Sequence, residues 1–495
     1  MRIFLIYIRD PQFFSPDKSF RAGKGRARAI CFPPLGIMSL SAVLKRAGHK
    51  CVMFDQADPA TPNEVIIGEI RRQRPALVGL SFLSTTSYPY AKMLARQIRD
   101  ADPKVPMAFG GVFATLNAEH VKLQCPEVDF ICRGDGEQFI LDLAERLDDP
   151  ADVAGLTWMK DGRVVHAPDR AMEFNLDQWP FPDRDSLPLE YVESMPFDVP
   201  VILSNERFTT MQTSRGCPWP CVFCDVPVFG KGKWRSRSPR HVLAELEHLQ
   251  ESGYRSVYFV DDNFLLDAGR IEEICKGIGR AGIGIRWGCE GRVDSAVQHL
   301  FPVMAKANCK ALMFGIESGS QKVLNWLKKK HTLAEVASAV KDAKQAGIGL
   351  VHGFFVIGSP DETVEDVRAT LDFAARLSMD TYSFNRLCVY RGSPLWREYV
   401  ARGLINDADD WYKYFKCSEI DPTCLPGEVF NRERSVGIRR LLLYRATHYP
   451  VMLLRLLWRF ARHMPPRDIL RLFAKPFLGR KRGATRAERM SRAVF

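Results

Sequence analysis

The sequence predicts an α/β protein in three parts: a parallel sheet with helices on both faces, a partial (βα)6 barrel, and a helical basic extension. Three observations carry this. Strand and helix patterns alternate through the first 150 residues. After a proline-rich break, six more strand-helix units run from Thr209 to Leu387. Beyond residue 400 the pattern turns helical and the charge turns strongly positive. Repeated strand-helix units lay parallel strands side by side under a cover of helices. In such folds ligands bind beyond the carboxyl ends of the strands.

The elements follow from periodicity. Arg2 to Ile8 is an apolar strand, too short in its apolar part for a signal peptide. Leu35 to Ala47 has helical spacing and stops at Gly48. Cys51 to Asp55 is a strand, Glu64 to Arg74 a helix and Ala76 to Phe82 a strand. Tyr90 to Asp100 is a helix, and Pro106 to Phe109 a strand entering Gly110-Gly111. Phe130 to Cys132 is a short strand before Gly134, and Glu137 to Leu147 a helix. Residues 151–205 carry Pro168, Pro180, Pro182, Pro188, Pro196 and Pro200 and read as a small excursion and connector. Barrel strands are expected at Thr209–Thr213, Ser256–Val260, Gly284–Trp287, Ala311–Gly315, Leu350–Ile357 and Tyr382–Arg386. The domain boundaries expected are thus 1–150, 151–205, 206–400 and 401–495.

The chain has 495 residues, 46% hydrophobic and 26% charged, which excludes whole-chain disorder, collagen and coiled coil. Thirteen cysteines, an odd number in a long chain, argue against a secreted disulfide scaffold and for a reducing compartment. No uncharged apolar run reaches the roughly 18 residues that cross a bilayer. The expectation is a cytoplasmic protein. Of the net charge of +12, the segment from Arg432 to Phe495 carries 17 Lys or Arg against Glu433, Asp468 and Glu488, so everything before it is nearly neutral. Within it, Val451 to His463 places Arg455, Arg459 and Arg462 on one helical face among leucines, Trp458 and Phe460. Two readings stand: an in-plane amphipathic helix on the inner, anionic face of a membrane, or a helical cap with its basic edge in water. The leucine density argues against nucleic acid.

The strongest chemical signal is Ser214-Arg215-Gly216-Cys217-Pro218-Trp219-Pro220-Cys221-Val222-Phe223-Cys224, directly after a strand. Three thiolates at CxxxCxxC spacing can hold three irons of a 4Fe–4S cluster and leave the fourth open. A zinc site would want paired CxxC ligands, and no second CxxC exists. The other ten cysteines lie singly, as core thiols do.

These residues resemble the radical S-adenosylmethionine (SAM) superfamily, down to the aromatic Phe223 before the last cysteine. The resemblance implies that Cys217, Cys221 and Cys224 bind the cluster, that its free iron binds SAM, and that one electron cleaves SAM to a 5′-deoxyadenosyl radical. It implies a reducing partner of flavodoxin or ferredoxin type. It also implies SAM contacts at Asp261, Asp262 and Asn263 after the second barrel strand, although this departs from the commoner Gly-Gly-Glu form. Further contacts are implied at Glu317 and Ser318 after the fourth strand and at Gly358 after the fifth. A carboxylate such as Glu317 accepts well from ribose hydroxyls; a carboxylate at a helix start is the other reading.

Pro33-Pro34-Leu35-Gly36, Gly110-Gly111 and Arg133-Gly134-Asp135-Gly136-Glu137 resemble the Rossmann-like cobalamin-binding domain that precedes many such barrels. Implied cobalamin contacts are Gly110, Gly111, Gly134 and Glu137. The DxHxxG motif that gives cobalt a histidine is absent; the N-terminal histidines are His49, His120 and His166, none at that spacing. Members of this branch commonly lack it. The branch resembles the anaerobic magnesium-protoporphyrin monomethyl ester cyclases and hopanoid methylases. The implied activity is methyl transfer to an unactivated carbon of a hydrophobic, lipid or tetrapyrrole-like substrate. Methyl-free radical cyclisation with the same cofactors is the alternative within the enzyme class. A non-catalytic metal-bearing protein docking on membrane or nucleic acid is the alternative outside it. Tyr382, Arg386, Tyr390 and Arg391 lie near the last barrel strand and could face substrate or pack; no catalytic residue is assigned.

Overall fold

The computed structural model describes residues 1–8, 28–29, 32–58, 60–187, 190–191, 207–293, 295–407, 425–451 and 454. Two compact units emerge. One takes in residues 1–197, 206–216 and 228–257, and the other residues 198–205, 217–227 and 258–495.

The first unit is built on a seven-stranded sheet. Its chain order begins β1 (Arg2–Tyr7), β2 (Arg28–Ala29), α1 (Leu35–Arg46), β3 (Lys50–Asp55), α2 (Asn63–Gln73), β4 (Leu77–Ser81) and α3 (Tyr88–Ala101). It continues through β5 (Met107–Gly110), α4 (Val112–Leu116), α5 (Ala118–Gln124), β6 (Phe130–Cys132) and α6 (Gly136–Glu145). Then come β7 (Leu156–Lys160), β8 (Arg163–His166) and β9 (Glu190–Tyr191). The sheet order is β3-β1-β4-β5-β6-β7-β8. The first five strands pair in parallel, while β7 and β8 add an antiparallel hairpin at the edge. Central β1 has Ile3, Phe4, Leu5 and Ile6 all buried, as a strand covered on both faces must. The hairpin is the element that periodicity does not announce. β7 ends in Lys160 and β8 is only four residues long, so neither shows a long alternation.

The remaining elements are β10 (Phe208–Met211), β11 (Ser214–Arg215), α7 (Val226–Phe229), β12 (Arg235–Ser236), α8 (Pro239–Glu251), β13 (Ser256–Phe259), α9 (Ala268–Arg280), β14 (Arg286–Gly291) and α10 (Phe301–Lys306). They continue as β15 (Cys309–Glu317), α11 (Gln321–Trp326), α12 (Leu333–Gln345), β16 (Leu350–Ile357), α13 (Val364–Arg376), β17 (Thr381–Arg386), α14 (Pro394–Ala401) and α15 (Gly427–His448). The second sheet runs β10-β13-β14-β15-β16-β17, each strand beside its successor in the chain, as a partial (βα)6 barrel requires. The β14–β15, β15–β16 and β16–β17 pairs are parallel. The third strand lies two residues later than its apolar run suggests, because Gly288 packs against Tyr258 and Ala311 and belongs inside it. In the second unit the core is aromatic: Phe259, Phe264 and Trp287 stack together, and the Trp287 indole N–H donates to the Ala307 carbonyl at 2.6 Å. Helices α12 and α13 begin in reciprocal capping boxes, Thr332 with Glu335 and Thr363 with Asp366, each cap contributing about 1 kcal/mol.

The basic extension begins inside the fold. α15 buries Phe430, Glu433, Gly437, Leu441 and Arg445, a stripe at helical spacing. It packs on α13, where Glu433 accepts from Arg368 at 3.0 Å. Arg445 donates to the Asp380 and Leu377 carbonyls at 3.2 and 3.4 Å and lies over the Tyr382 ring. This arginine is therefore a core residue, not part of a solvated basic edge. The amphipathic stretch from Val451 to His463 falls outside the described residues except for Val451 and Leu454, and so do the rest of the tail and the Trp411–Phe415 patch. Among the described residues no helix is long and apolar enough to cross a membrane. Gly437 sits against Leu371, and a Cβ there would overlap its side chain. Gly437→Val is expected to cost about 1–3 kcal/mol in urea unfolding by forcing α15 off α13.

Candidate functional site

The cysteine loop is held from both ends. At its start, β11 pairs antiparallel with β12. Gly216 follows with φ +86°, and a Cβ there would overlap the Lys233 carbonyl, so only glycine passes. Further on, Val222 packs into an apolar cluster with Val323 and Leu327, flanked by Phe223 and Trp326. Its N–H donates to Leu327 and its carbonyl accepts from Leu395 at 2.9 Å. Pro218 and Pro220 keep the intervening chain from coiling. Cys217, Cys221 and Cys224 are free thiols. Burial pushes the Cys217 and Cys224 thiols up, and the charges of Cys221 and Asp262 add to it, so the three thiols feel one another. Bound iron would supply the positive charge that such thiolates need. Among the described residues no three His, Cys, Asp or Glu side chains gather around a single-ion position. The fit to a polynuclear cluster therefore rests on the donor set itself: three reduced cysteines on one loop.

Arg292, just beyond β14, lies on this loop. Its Nη1 is 3.6 Å from Cys221 Sγ, its guanidinium stands 4.3 Å from the Trp219 ring centroid, and its Nη2 donates to the Lys329 carbonyl. No pattern in the sequence singled it out. The available signal was position alone, a basic residue directly past the carboxyl end of a barrel strand.

The neighbouring strand ends carry the residues expected to meet SAM. After β13, Asp261 and Asn263 are buried and Asp262 is exposed. Both amide atoms of Asn263 are buried without a partner. A buried amide with neither hydrogen bond made is costly, and a polar ligand is what would satisfy it. After β15, Glu317 holds a left-handed backbone, φ +71°, which costs a non-glycine residue energy and is frequent at binding sites. Its carboxylate accepts from Lys329 Nζ at 3.0 Å, with both groups buried. It caps no helix. Lys329 is the middle of Lys328-Lys329-Lys330, a run that reads as a solvated face in sequence. Ser318 turns inward: its hydroxyl lies 3.0 Å from Thr370 Oγ1 and accepts from the Ser320 N–H, so it shapes the turn. After β16, Gly358 has φ +103°. Its N–H and that of Ser359 donate to Glu362 Oε2 at 2.5 and 2.8 Å.

The open face of the sheet follows from register. Phe314 meets Phe301 of α10, so Met313, Gly315 and Glu317 face the other way. Glu290, Met313, His352 and Thr381 align across β14 to β17 on that face. The Tyr258 hydroxyl donates to Glu290 at 2.8 Å. Burial pushes the Glu290 carboxyl up, helped by the charges of Asp262 and Glu317. Burial pushes His352 down to about 3, and burial with the charges of Lys329 and Arg292 pushes His331 down to about 4, so both imidazoles are neutral at physiological pH. Tyr382 and Arg386 belong to the opposite face: Tyr382 lies under Arg445, and Arg386 donates to Leu425 and lies over Phe430. They pack.

In the first unit, the carboxyl ends of β4, β5 and β6 form an edge of glycines and hydroxyls. Gly111 has φ +107°, and a Cβ on it would overlap the Phe82 carbonyl; Gly110 has ordinary clearance. Gly134 has φ +95° with nothing within 4 Å of a Cβ position, and its N–H donates to Thr115 Oγ1. A flat ring can approach such an edge closely. The loop after β4 adds Leu83, 55% exposed, and the mutually bonded hydroxyls of Ser84, Thr86 and Ser87. The Ser81–Ser87 hydroxyl run was visible in sequence but not read as a site. Glu137 is bound to Arg215 by a paired hydrogen bond. His49 meets the N-terminal amine and His166 meets Thr157.

An edge that suits a flat ring in one unit, and three free thiols among barrel strand ends in the other, define the class as a radical SAM enzyme with a B12-binding domain. The radical SAM superfamily profile matches residues 211–374, and the B12 binding domain profile matches residues 26–144. An uncharacterized methyltransferase of Pyrococcus horikoshii is 32% identical over 398 residues, 79% of this chain and 82% of that one. The anaerobic magnesium-protoporphyrin IX monomethyl ester cyclase of Rubrivivax gelatinosus is 26% identical across 85% of this chain and 75% of its own. Among solved structures, the cobalamin-dependent S-adenosylmethionine radical enzyme OxsB matches with a TM-score of 0.70 at 17% identity, over 96% of this chain and 75% of that one, a likeness of fold. The chain belongs to the family of cobalamin-dependent radical SAM methyltransferases. The family's cofactors are a 4Fe–4S cluster, SAM and cobalamin.

Lys329→Met leaves the buried Glu317 charge unpaired and is expected to cost about 3–5 kcal/mol in chemical unfolding, with weaker SAM binding by calorimetry. Burial, partly offset by two backbone N–H groups, pushes Glu362 from 4.5 up to about 7. A raised carboxyl contributes stability that is whole below its ordinary value and lost as pH rises through the folded value. Between pH 5 and 8 the wild type should lose up to about 3 kcal/mol from this group. Glu362→Gln, which accepts the same N–H groups uncharged, should flatten that part of the pH–stability profile.

Proposed function

We propose that this enzyme transfers a methyl group from SAM to an unactivated carbon of a hydrophobic substrate. Cys217, Cys221 and Cys224 hold three irons of the cluster, and the fourth iron takes the amino and carboxylate groups of SAM. Asp261, Asp262, Asn263, Glu317 and Gly358 line the SAM site, with Ser318 shaping the Glu317 turn. Gly110, Gly111 and Gly134 form the edge against the corrin. The cluster supplies the electron that cleaves SAM, and cobalamin supplies a methyl carrier; a flavodoxin or ferredoxin type donor supplies the reducing equivalent. The chain's own part is to bind and orient. Arg292 brings a fixed positive charge to the thiol loop, Lys329 holds Glu317 in place, and neutral His331 and His352 add no charge to the barrel interior.

The observation that carries the reading is the unpartnered, buried Asn263 amide beside Asp262, whose charge reaches Cys217 and Cys224. For the substrate, support comes from the apolar row of the basic C-terminal segment and from a relative whose name places it on a porphyrin ester. The same segment suits contact with an anionic lipid surface from the cytoplasmic side.

The test is anaerobic. Protein with reconstituted cluster and added cobalamin is given dithionite and SAM, and 5′-deoxyadenosine, S-adenosylhomocysteine and bound corrin are quantified. All three are expected. Replacing any one of Cys217, Cys221 or Cys224 by Ala should abolish the 4Fe–4S absorption and deoxyadenosine together. Deoxyadenosine with corrin but no homocysteine product would favour methyl-free cyclisation, the chemistry in the Rubrivivax relative's name. Retained cluster and cleavage in all three cysteine variants would overturn the ligand assignment.

A further inference from the structure

Two arginines face one another across the β11–β12 ladder, Arg215 opposite Arg235. Both reach the turn between β6 and α6. Arg215 forks over Glu137, Nη2 to Oε1 at 2.5 Å and Nη1 to Oε2 at 3.1 Å, with Nη1 also 3.5 Å from Asp135 Oδ1. Its Nε donates to Gln212 at 2.9 Å. Arg235 donates to Asp135 Oδ2 at 2.5 Å and to the Glu173 carbonyl at 3.0 Å. Glu137 and Arg235 are both buried. Burial would raise the Asp135 carboxyl, but Arg215 and Arg235 outweigh it and hold it below the ordinary range.

Ion pairs this buried are rarely net stabilising compared with apolar packing. What a bidentate guanidinium–carboxylate pair provides is a set distance and angle. The turn it grips carries Gly134, and the strand it grips runs through Gly216 straight into Cys217. One ionic knot thus holds the glycine turn and the chain's entry into the thiol loop.

We infer that Arg215–Glu137, seconded by Arg235–Asp135, is a positioning pair that sets the first cluster thiol against the corrin edge. Glu137 then acts through Arg215 and does not itself touch the corrin. This rests on the cofactor sites proposed above.

The experiment uses the full chain reconstituted with cluster and cobalamin. The variants are Arg215→Met, Arg215→Lys, Glu137→Gln and the charge-swapped double variant R215E/E137R. Three quantities are read: the cobalamin dissociation constant, the EPR spin relaxation of cob(II)alamin caused by the reduced cluster, and the ratio of S-adenosylhomocysteine to deoxyadenosine. Arg215→Met and Glu137→Gln should keep iron and leave the dissociation constant within about threefold, yet lose the relaxation enhancement. Their product ratio should fall by at least about tenfold, because small misplacements are costly to transfer steps. Arg215→Lys should fall between, and the swapped pair should recover part of both signals. Relaxation and ratio unchanged, with only a lower melting temperature, would make the pair merely structural and overturn the inference. Cobalamin affinity lost in Glu137→Gln but kept in Arg215→Met would also overturn it, by making Glu137 a direct contact. Wild-type protein that binds no corrin would remove the inference together with the reading beneath it, an outcome separate from the other two.

Discussion

A charge taken out of water must meet an opposite charge or a set of dipoles, and that requirement organises the strand ends in both units. Glu317 meets Lys329, Glu137 meets Arg215, Asp135 meets Arg235, and Glu245 sits between Arg184 and Arg237. Each pair spans two segments distant in sequence, so each ties a loop that bears chemistry to an element that does not move with it. Glu362 solves the same problem with two backbone N–H groups in place of a cation. Without these partners the loops after β6, β15 and β16 would carry uncompensated charge, which costs several kcal/mol for each group.

Apolar packing supplies the rest of the rigidity. The cysteine loop has no regular structure of its own, yet Val222 is seated among Val323, Leu327 and Trp326 and bonded to both Leu327 and Leu395. A loop anchored this way can present three thiols without a metal to gather them. The barrel sheet behind it is fixed by the Phe259–Phe264–Trp287 stack on one side of β13 and β14, leaving Tyr258 and Glu290 on the other. The α15 stripe extends the core past the barrel, and it explains why a helix so rich in arginine folds at all: Arg445 is satisfied by two carbonyls and a tyrosine ring.

Much of the fold was legible because parallel strands covered on both faces must be continuously apolar, and β1, β15 and β16 are. Strand ends were off by a residue or two where glycine or a polar residue sits inside a strand, as Gly288 and Glu290 do in β14. The β7–β8 hairpin and the two-residue ribbon β11–β12 went unread, since short edge strands bury too little to leave a pattern. The thiols, Asn263, Glu317 and the glycines were named from residue type and place. Arg292 and Lys329 were not, because a lone basic residue or a lysine run ordinarily faces water, and only folding takes Lys329 out of it.

The linear order of residues determined the architecture and the kind of chemistry. Hydrophobic period decides which segments are strands, and three cysteines within eight residues can converge whatever the surroundings, because the chain between them is short. Tertiary structure decided the partnerships. Arg215 and Glu137 lie 78 positions apart, so no local rule pairs them, and Ser318 and Gly358 could have faced a ligand or their own turns. That choice depends on which long-range groups arrive at the same place, and only the folded chain brings them there.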